Sequence, residues 1–422
     1  MIITERTDST FYDAIILDFR EKNGNSMNMK PFFAFFIVFV IALVGYHFSF
    51  RRLGAGAGSR LRLTGLEFLA FGLVLGPGFL NVIDEHTAKS LEPLTALVMG
   101  WLGLLFGFQF EVFKLRRLPR ACFPAALVES MFTFVFVFFG VFFMLPDGFF
   151  FPTGLLCAIV LSAAAACSAQ TGLALAQAGA GPDRSGLIRT LRYIAGVDGL
   201  FPMLILCVAH VFSAWSHGAG ALGAGAVLIP AFAGLVVLYF LLLARRRQAN
   251  ELALVIIGMT LLVSGAAAMA GFSPLAANFI LGVCIVNITR EKEKIFNLLV
   301  SIEKPAYILL LLFFGAAWQV TGVSMLLPAV LYAVFRFAGK MAGGFTVTAL
   351  LKPLRAHPRS FGLGLLELGG LPVVILYDFQ QSVPGQGVAT VVGIALAAIV
   401  VNDLVSLFML TGLVPRNGET KI

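Results

Sequence analysis

The sequence predicts an all-α protein crossing a membrane about thirteen times, and three observations carry that prediction. Of 422 residues, 59% are hydrophobic and only 12% charged, where soluble domains carry about 25% charged residues. Apolar runs of 17 to 28 residues recur along the chain, close to the roughly 20 needed to cross a bilayer core. Finally, Arg and Lys crowd into every second loop between those runs.

The runs lie near 31–50, 63–82, 92–113, 121–145, 152–178, 187–214, 219–243, 251–270, 272–288, 305–321, 325–350, 360–382 and 387–413. Arg51, Arg52, Arg60 and Arg62 follow the first, and Lys114, Arg116, Arg117 and Arg120 the third. Arg184, Arg189 and Arg192 surround the junction after the fifth, and Arg245, Arg246 and Arg247 follow the seventh. Arg290, Lys292 and Lys294 follow the ninth; Lys352, Arg355 and Arg359 follow the eleventh. The loops between, such as "DEHTAKS" and "QQSVPGQG", are poor in both. Positive loops stay in the cytoplasm, so this pattern expects an amino terminus outside and a carboxyl terminus inside. A net charge of +8 therefore sets topology and does not point to nucleic acid.

Ahead of the first run, residues 1–30 are polar and mixed in charge, without the apolar core of a signal peptide. They read as a tail, and translation starting at Met27 or Met29 is an open alternative. Residues 414–422 form a second, cytoplasmic tail. Cys122, Cys157, Cys167, Cys207 and Cys284 have no CxxC spacing and sit in or beside apolar runs, so they read as small core residues. His47, His86, His210, His217 and His357 are scattered and suggest no metal site, and no motif calls for a cofactor.

Two runs are not ordinary helices. "LSAAAACSAQTGLALAQAGAG" (161–181) is small and polar through its middle, with Cys167, Ser168, Gln170 and Thr171. "FGLGLLELGGLPVVILYDF" (361–379) holds Gly362, Gly364, Gly369, Gly370 and Pro372 around Glu367. Glycine and proline make helix breaks cheap, and a break frees backbone groups to face an ion. Paired interrupted segments in two halves of a chain point to a transporter's binding site. Close packing of glycine-rich helices is the plain alternative.

Asp198 stands in "LRYIAGVDGLFPML" (191–204), otherwise lipid-buried sequence. A carboxylate at the bilayer centre costs about 2.5 to 3.5 kcal/mol on insertion scales, so the position asks for a use. A buried carboxyl can hold either a proton or a small cation, and that competition alone couples the two. Ser168 and Gln170, with carbonyls freed at the break, could complete an oxygen shell; a thiol such as Cys167 would be a poor ligand. Glu367 is a second candidate carboxylate. Arg336 and Lys340 share a helix face at i and i+4 and need partners at such depth, unless they snorkel to the cytoplasmic interface, a course more open to Lys340. Glu67, Glu129 and Gln109 are further polar positions, with helix-to-helix hydrogen bonding their expected job.

On these residues the chain, over 31–413, resembles the monovalent cation:proton antiporters. "TGLEFLAFGLVLGPGFL" (64–80), "LGLLFGFQFEVFKLRR" (102–117), "YIAGVDGLFPMLIL" (193–206) and "GLGLLELGGLPVVI" (362–375) are similar to that family's segments in order and spacing. The resemblance implies inverted repeats with two crossed discontinuous helices. It implies a scaffold (about 31–113 and 251–321) that dimerises and a core (about 121–214 and 325–413) that moves like an elevator. It further implies exchange of Na+ or K+ for H+ in a cell inner membrane, among lipid, with Arg336 or Lys340 compensating charge at the crossover. Asn402 and Asp403 imitate the family's Asn–Asp pair but lie on the symmetry-related last span. The chain departs from the pattern at Val197, Gln109, Gly370 and Cys167, which puts ion identity and stoichiometry in question. Since Val197 cannot titrate, a one-for-one electroneutral cycle is expected.

Rival readings remain. A sodium-coupled organic anion symporter would share the architecture, and a channel would show unitary currents. An intramembrane aspartyl protease uses "YD" and "GxGD" helices, but here "YD" (377–378) follows "GVDG" (196–199), in reversed order. The loop pattern makes one expectation directly testable. Reporter fusions after Arg247 and within 215–220 should give opposite signals, and matching signals would break the thirteen-span count.

Overall fold

Inside a bilayer no water is at hand to bond exposed backbone N–H and C=O groups, so a spanning chain must satisfy them along its own helices. In the computed structural model, which describes residues 30–45, 47, 66–144, 152–170, 173, 182–216, 249–319, 322–355, 357–383 and 385–413, the chain is helical with no strand among the described residues. The helices are α1 (Lys30–Gly45), α2 (Leu66–Leu75), α3 (Glu85–Ser90), α4 (Glu92–Phe108), α5 (Val112–Arg117), α6 (Cys122–Met144), α7 (Thr153–Ala166) and α8 (Pro182–Val197). There follow α9 (Leu200–Ser216), α10 (Ala249–Met269), α11 (Pro274–Ile288), α12 (Lys292–Ala317), α13 (Leu326–Leu350), α14 (Leu371–Ser382) and α15 (Gln386–Leu413). A 3-10 helix, Arg359–Leu365, precedes α14.

Among the described residues, seven segments are long and apolar enough to cross a membrane: Glu92–Arg117, Cys122–Met144, Gly186–Ser213, Glu251–Met269, Lys292–Ala317, Val323–Leu350 and Gln386–Asp403. Helices α1, α7 and α11 are apolar but shorter. This is a polytopic membrane protein. The expected run at 219–243, both tails and the basic clusters at 51–62 and 245–247 lie outside the described residues.

Lipid tails are as apolar as leucine, so helices associate by close contact, which small residues permit. The main crossings here are glycine contacts. A Cβ on Gly72 of α2 would lie 2.2 Å from the Leu312 carbonyl oxygen of α12, and one on Gly315 of α12 would lie 2.1 Å from that of Leu69. Helices α4 and α11 interlock likewise, with Gly107 against Phe279 and Gly282 against Leu104. The Asn278 amide of α11 donates to Ser264 Oγ of α10 at 3.0 Å. A second set assembles around α13, which packs on α6, α15 and the 3-10 helix, while α7 packs on α6, α9 and α14.

Ion pairs mark the two ends of the bundle. Lys30 Nζ, at the start of α1, meets Asp84 Oδ2 at 2.5 Å. That bond, with help from Thr87, holds the Asp84 carboxyl well below the usual carboxylate range. The start of the first run and the 79–91 loop therefore share a face. At another corner, Glu111 takes Lys114 at 3.1 Å and also pairs with Lys292, which joins the basic loops that follow the third and ninth runs.

Candidate functional site

Both interrupted runs break as the sequence expects, and the two breaks meet. Helix α7 stops at Ala166 because Cys167 takes an extended backbone, φ −61°, ψ 150°. The second run leaves its 3-10 helix at Leu365 and re-forms only at Leu371, with Pro372 in the first turn of α14. Between them Gly369 has φ +68°, and a Cβ there would lie 2.8 Å from that of Ala169; only glycine suits both the backbone and the approach. The breaks are tied directly, since the Ala169 N–H donates to the Glu367 carbonyl at 2.7 Å.

A break leaves carbonyls at the end of each half-helix without partners. Helix α13 supplies them. Arg336 Nε donates to the Ala165 carbonyl at 2.9 Å, Nη2 to that of Cys167 at 3.0 Å, and Nη1 to that of Leu366 at 2.8 Å. Nη1 also donates to Asn402 Oδ1 at 2.8 Å, and the Asn402 amide donates to the Leu366 carbonyl at 2.9 Å. One planar fork thus spans both breaks, a use for which Arg suits better than Lys. One turn on, Lys340 Nζ donates to the Ala166 carbonyl and to Ser168 Oγ, each at 2.8 Å, and pairs with Glu129 at 2.9 Å. The sequence lets α13 reach in. Gly339 and Gly343 bring the backbone of α6 close, at Thr133 and Glu129, and Gly344 meets Gly362 of the 3-10 helix.

Asp198 closes the site. It sits in the turn between α8 and α9, where Gly199 follows and Pro202 lacks the N–H that would bond the Asp198 carbonyl. Its side chain is 1% exposed, and neither carboxylate oxygen has a hydrogen-bond partner. Lys340, Glu129 and Arg336 act on it through their charge, and the Ser168 hydroxyl acts on it as a hydrogen-bonding group. A fully buried, unpartnered carboxylate is an exception that asks for an occupant.

The structure brings Asp198, Ser168, Cys167, Arg336, Lys340 and Asn402 together. Gln170 is exposed at the first break, with its amide against Gly196 of α8. Glu367 is half-buried, and its carbonyl makes the tie to Ala169. Asp403 Oδ1 accepts a long bond, 3.5 Å, from the Leu368 N–H ahead of α14.

The structure sharpens four of these readings. Arg336 and Lys340 already bond the carbonyls of Ala165, Ala166, Cys167 and Leu366, which leaves fewer acceptor sites at the breaks for a transported cation. Cys167 contributes its carbonyl, while its thiol turns back toward the Ala163 carbonyl at 3.9 Å. Lys340 does not snorkel: its side chain is 0% exposed because Glu129 pairs with it inside the bundle. Gln109 is exposed at the end of α4, in an open cleft with Glu111, Lys114 and Lys292, away from the breaks. Glu129 is the residue sequence reasoning assigned elsewhere; nothing local in the Phe-rich α6 marks a partner 211 positions away.

Removing one partner of a buried ion pair costs about 3 to 5 kcal/mol, whereas replacing both with apolar residues can be neutral. Lys340→Ala should therefore lower thermal stability in detergent sharply, and Glu129→Gln added to it should restore part of the loss. Arg336→Ala should be as damaging, but Glu129→Gln should not rescue it. Equal rescue of both would contradict the separate partners described here.

No protein-family model matches the sequence, and no curated protein matches it either. Among solved structures the chain is similar to the sodium proton antiporter MjNhaP1 from Methanocaldococcus jannaschii, at a TM-score of 0.65 and 14% sequence identity, over 91% of this chain and 100% of that one. At that identity the likeness is one of architecture, and the chain has the fold of that antiporter.

Proposed function

We propose that the chain exchanges a monovalent cation, Na+ or K+, for H+ across a membrane, with Asp198 as the group both ions visit. The observation that carries this reading is the Asp198 carboxylate, buried beside the crossed breaks with both oxygens unpartnered. The likeness in fold to a sodium proton antiporter supports it.

Charge explains why exchange is obligatory. In their ordinary states Arg336 and Lys340 carry two positive charges, and Glu129 and Asp403 two negative ones. These four charges balance, so an ionised Asp198 adds one uncompensated negative charge, and Glu367, half-buried and acting on Asp403, is the further carboxylate that bears on the count. Either a proton or one monovalent cation restores neutrality. An empty site carries a bare charge, which is costly to move through a low-dielectric barrier, so the loaded forms cross and the empty one does not. With Val197 beside it instead of a second acid, the cycle is one-for-one and electroneutral. Helices α6–α9 and α13–α15 form the moving core, and α1–α5 with α10–α12 the scaffold of a homodimer in the inner membrane. The carboxyl terminus faces the cytoplasm.

Asp198→Asn keeps the shape but cannot cycle a proton. Cation-induced proton movement, read by pH-quench fluorescence in inverted vesicles, should vanish in that variant while the protein still folds and inserts. Retained exchange would remove Asp198 from the mechanism.

Stoichiometry has its own readout. A charge moved across the membrane is worth about 2.3 kcal/mol per 100 mV. With Na+ as the cation, exchange in proteoliposomes should ignore a potential set by valinomycin. A rate that follows the potential would point to a second titrating group, Glu367 first.

A further inference from the structure

A second ionisable pair lies buried well away from the breaks. His210 of α9 sets Nε2 3.0 Å from Asp378 Oδ2 of α14, with side chains 4% and 0% exposed. Along α9 it is twelve residues beyond Asp198, ~18 Å at 1.5 Å per residue, so the two sites are separate. The other oxygen, Asp378 Oδ1, accepts from the Leu275 backbone N–H at 3.4 Å. Leu275 is in the first turn of α11, behind Ser273, whose hydroxyl caps that helix on the Ala276 N–H at 2.8 Å. The Phe272 ring leans on the imidazole, centroids 5.7 Å apart. Three helices from two different packing sets thus converge on one carboxylate.

Among the described residues the surroundings offer little other charge, with Glu92 of α4 acting on the neighbouring Tyr377. From α9 the thiol of Cys207 faces Asp378. On α14 the neighbouring Tyr377 turns its ring to Phe314 of α12. The α11 end presents the N–H of Leu275 and no charged side chain, and the turn before it presents Phe272. Among the described residues, no Lys, Arg or further carboxylate pairs with either member.

With one proton on the imidazole the pair is an ion pair with no net charge. Without that proton a buried carboxylate keeps only a neutral imidazole and one long N–H bond. Such a charge is better tolerated where water can reach it, which means moving α14 off the end of α11. Aligned N–H groups at that helix end favour the carboxylate while the contact lasts, but they cannot replace the lost cation.

We propose that His210 and Asp378 form a second proton-binding site, which holds α9 and α14 against the start of α11 when protonated and releases them when the proton leaves. All three elements end at the face whose loops are poor in Lys and Arg, so the proton comes from that side. The binding site stands on its own geometry; its effect on transport rests on the exchange reading above.

The full-length protein in lipid nanodiscs, labelled at its five histidines, tests this by imidazole nitrogen NMR, with His210→Gln identifying the signal. As the pH is raised, the His210 signal should pass from the charged to the neutral form. Asp378→Asn should displace that transition, and Asp198→Asn should leave it in place. A His210 ring that stays in one form throughout, or a transition indifferent to Asp378→Asn, would overturn the proposal. Hydrogen exchange of segments 273–276 and 371–382 reads the contact directly, after correction for the intrinsic effect of pH. The wild-type protein should lose protection there as the imidazole becomes neutral, and equal protection in both forms would sink the latch. Should His210→Gln fail to fold, the Asp378→Asn and wild-type measurements still decide. If wild-type vesicles show no cation-driven proton movement while His210 titrates as expected, the exchange reading fails and the proton site stands.

Discussion

Two helices stop inside the membrane, and everything at the centre of this protein depends on who satisfies the carbonyls they leave behind. An orphan carbonyl in hydrocarbon has no water to turn to, and half-helix carboxyl ends carry partial negative charge. The protein answers with its own cations. Arg336 bonds Ala165, Cys167 and Leu366 at 2.8–3.0 Å, and Lys340 bonds Ala166 and Ser168. The two breaks are held as one object by a single helix, α13, and that helix can come so close only because Gly339, Gly343 and Gly344 line its contacts.

This arrangement changes what is left for an ion. Positive side chains already bond backbone oxygens that might otherwise coordinate a transported cation. The remaining buried negative group is Asp198, which the turn at Gly199 and Pro202 places beside the breaks, with the Ser168 hydroxyl the one neutral group that acts on it. Fixed charges hold the crossing, and one carboxylate is left outside them; in the exchange reading, site architecture and ion binding are therefore separate. Glu129 belongs to the fixed set, because it neutralises Lys340 and keeps that ammonium from simply pairing with Asp198.

Much of this was legible in the sequence. Asp198 stood out because a charge in apolar sequence is costly, and the breaks because Gly369, Gly370 and Pro372 cannot continue a helix cheaply. Arg336 and Lys340 stood out for the same reason as Asp198. What stayed hidden was pairing across long separations. Lys340 looked free to snorkel until Glu129 came to it from α6, and the freed carbonyls looked open until the Arg336 fork reached them. Asn402 was visible as polar, yet its bonds to Arg336 and to the Leu366 carbonyl depend on how α15 packs. His210 read as one of five scattered histidines and Asp378 only as the acid of a "YD" pair, and nothing in either segment announces the other.

The distribution of buried charge then constrains how the two packing sets can move. Arg336, Lys340, Glu129 and Asn402 lie on helices of the α13 set and Asp198 in a turn of it, so the bonds among them travel with that set and need not break when it shifts. The Asp378–Leu275 bond does cross to the other set, and so does the Tyr307 ring of α12, which would lie 2.7 Å from a Cβ on Gly370. A rigid displacement of one set against the other would leave the crossing intact and sever these contacts first. The resistance to motion therefore lies at the boundary, in the Asp378–Leu275 bond, the Phe272 and Phe314 ring contacts and a tyrosine packed on a glycine. The residues around the two breaks would stay preorganised through such a displacement.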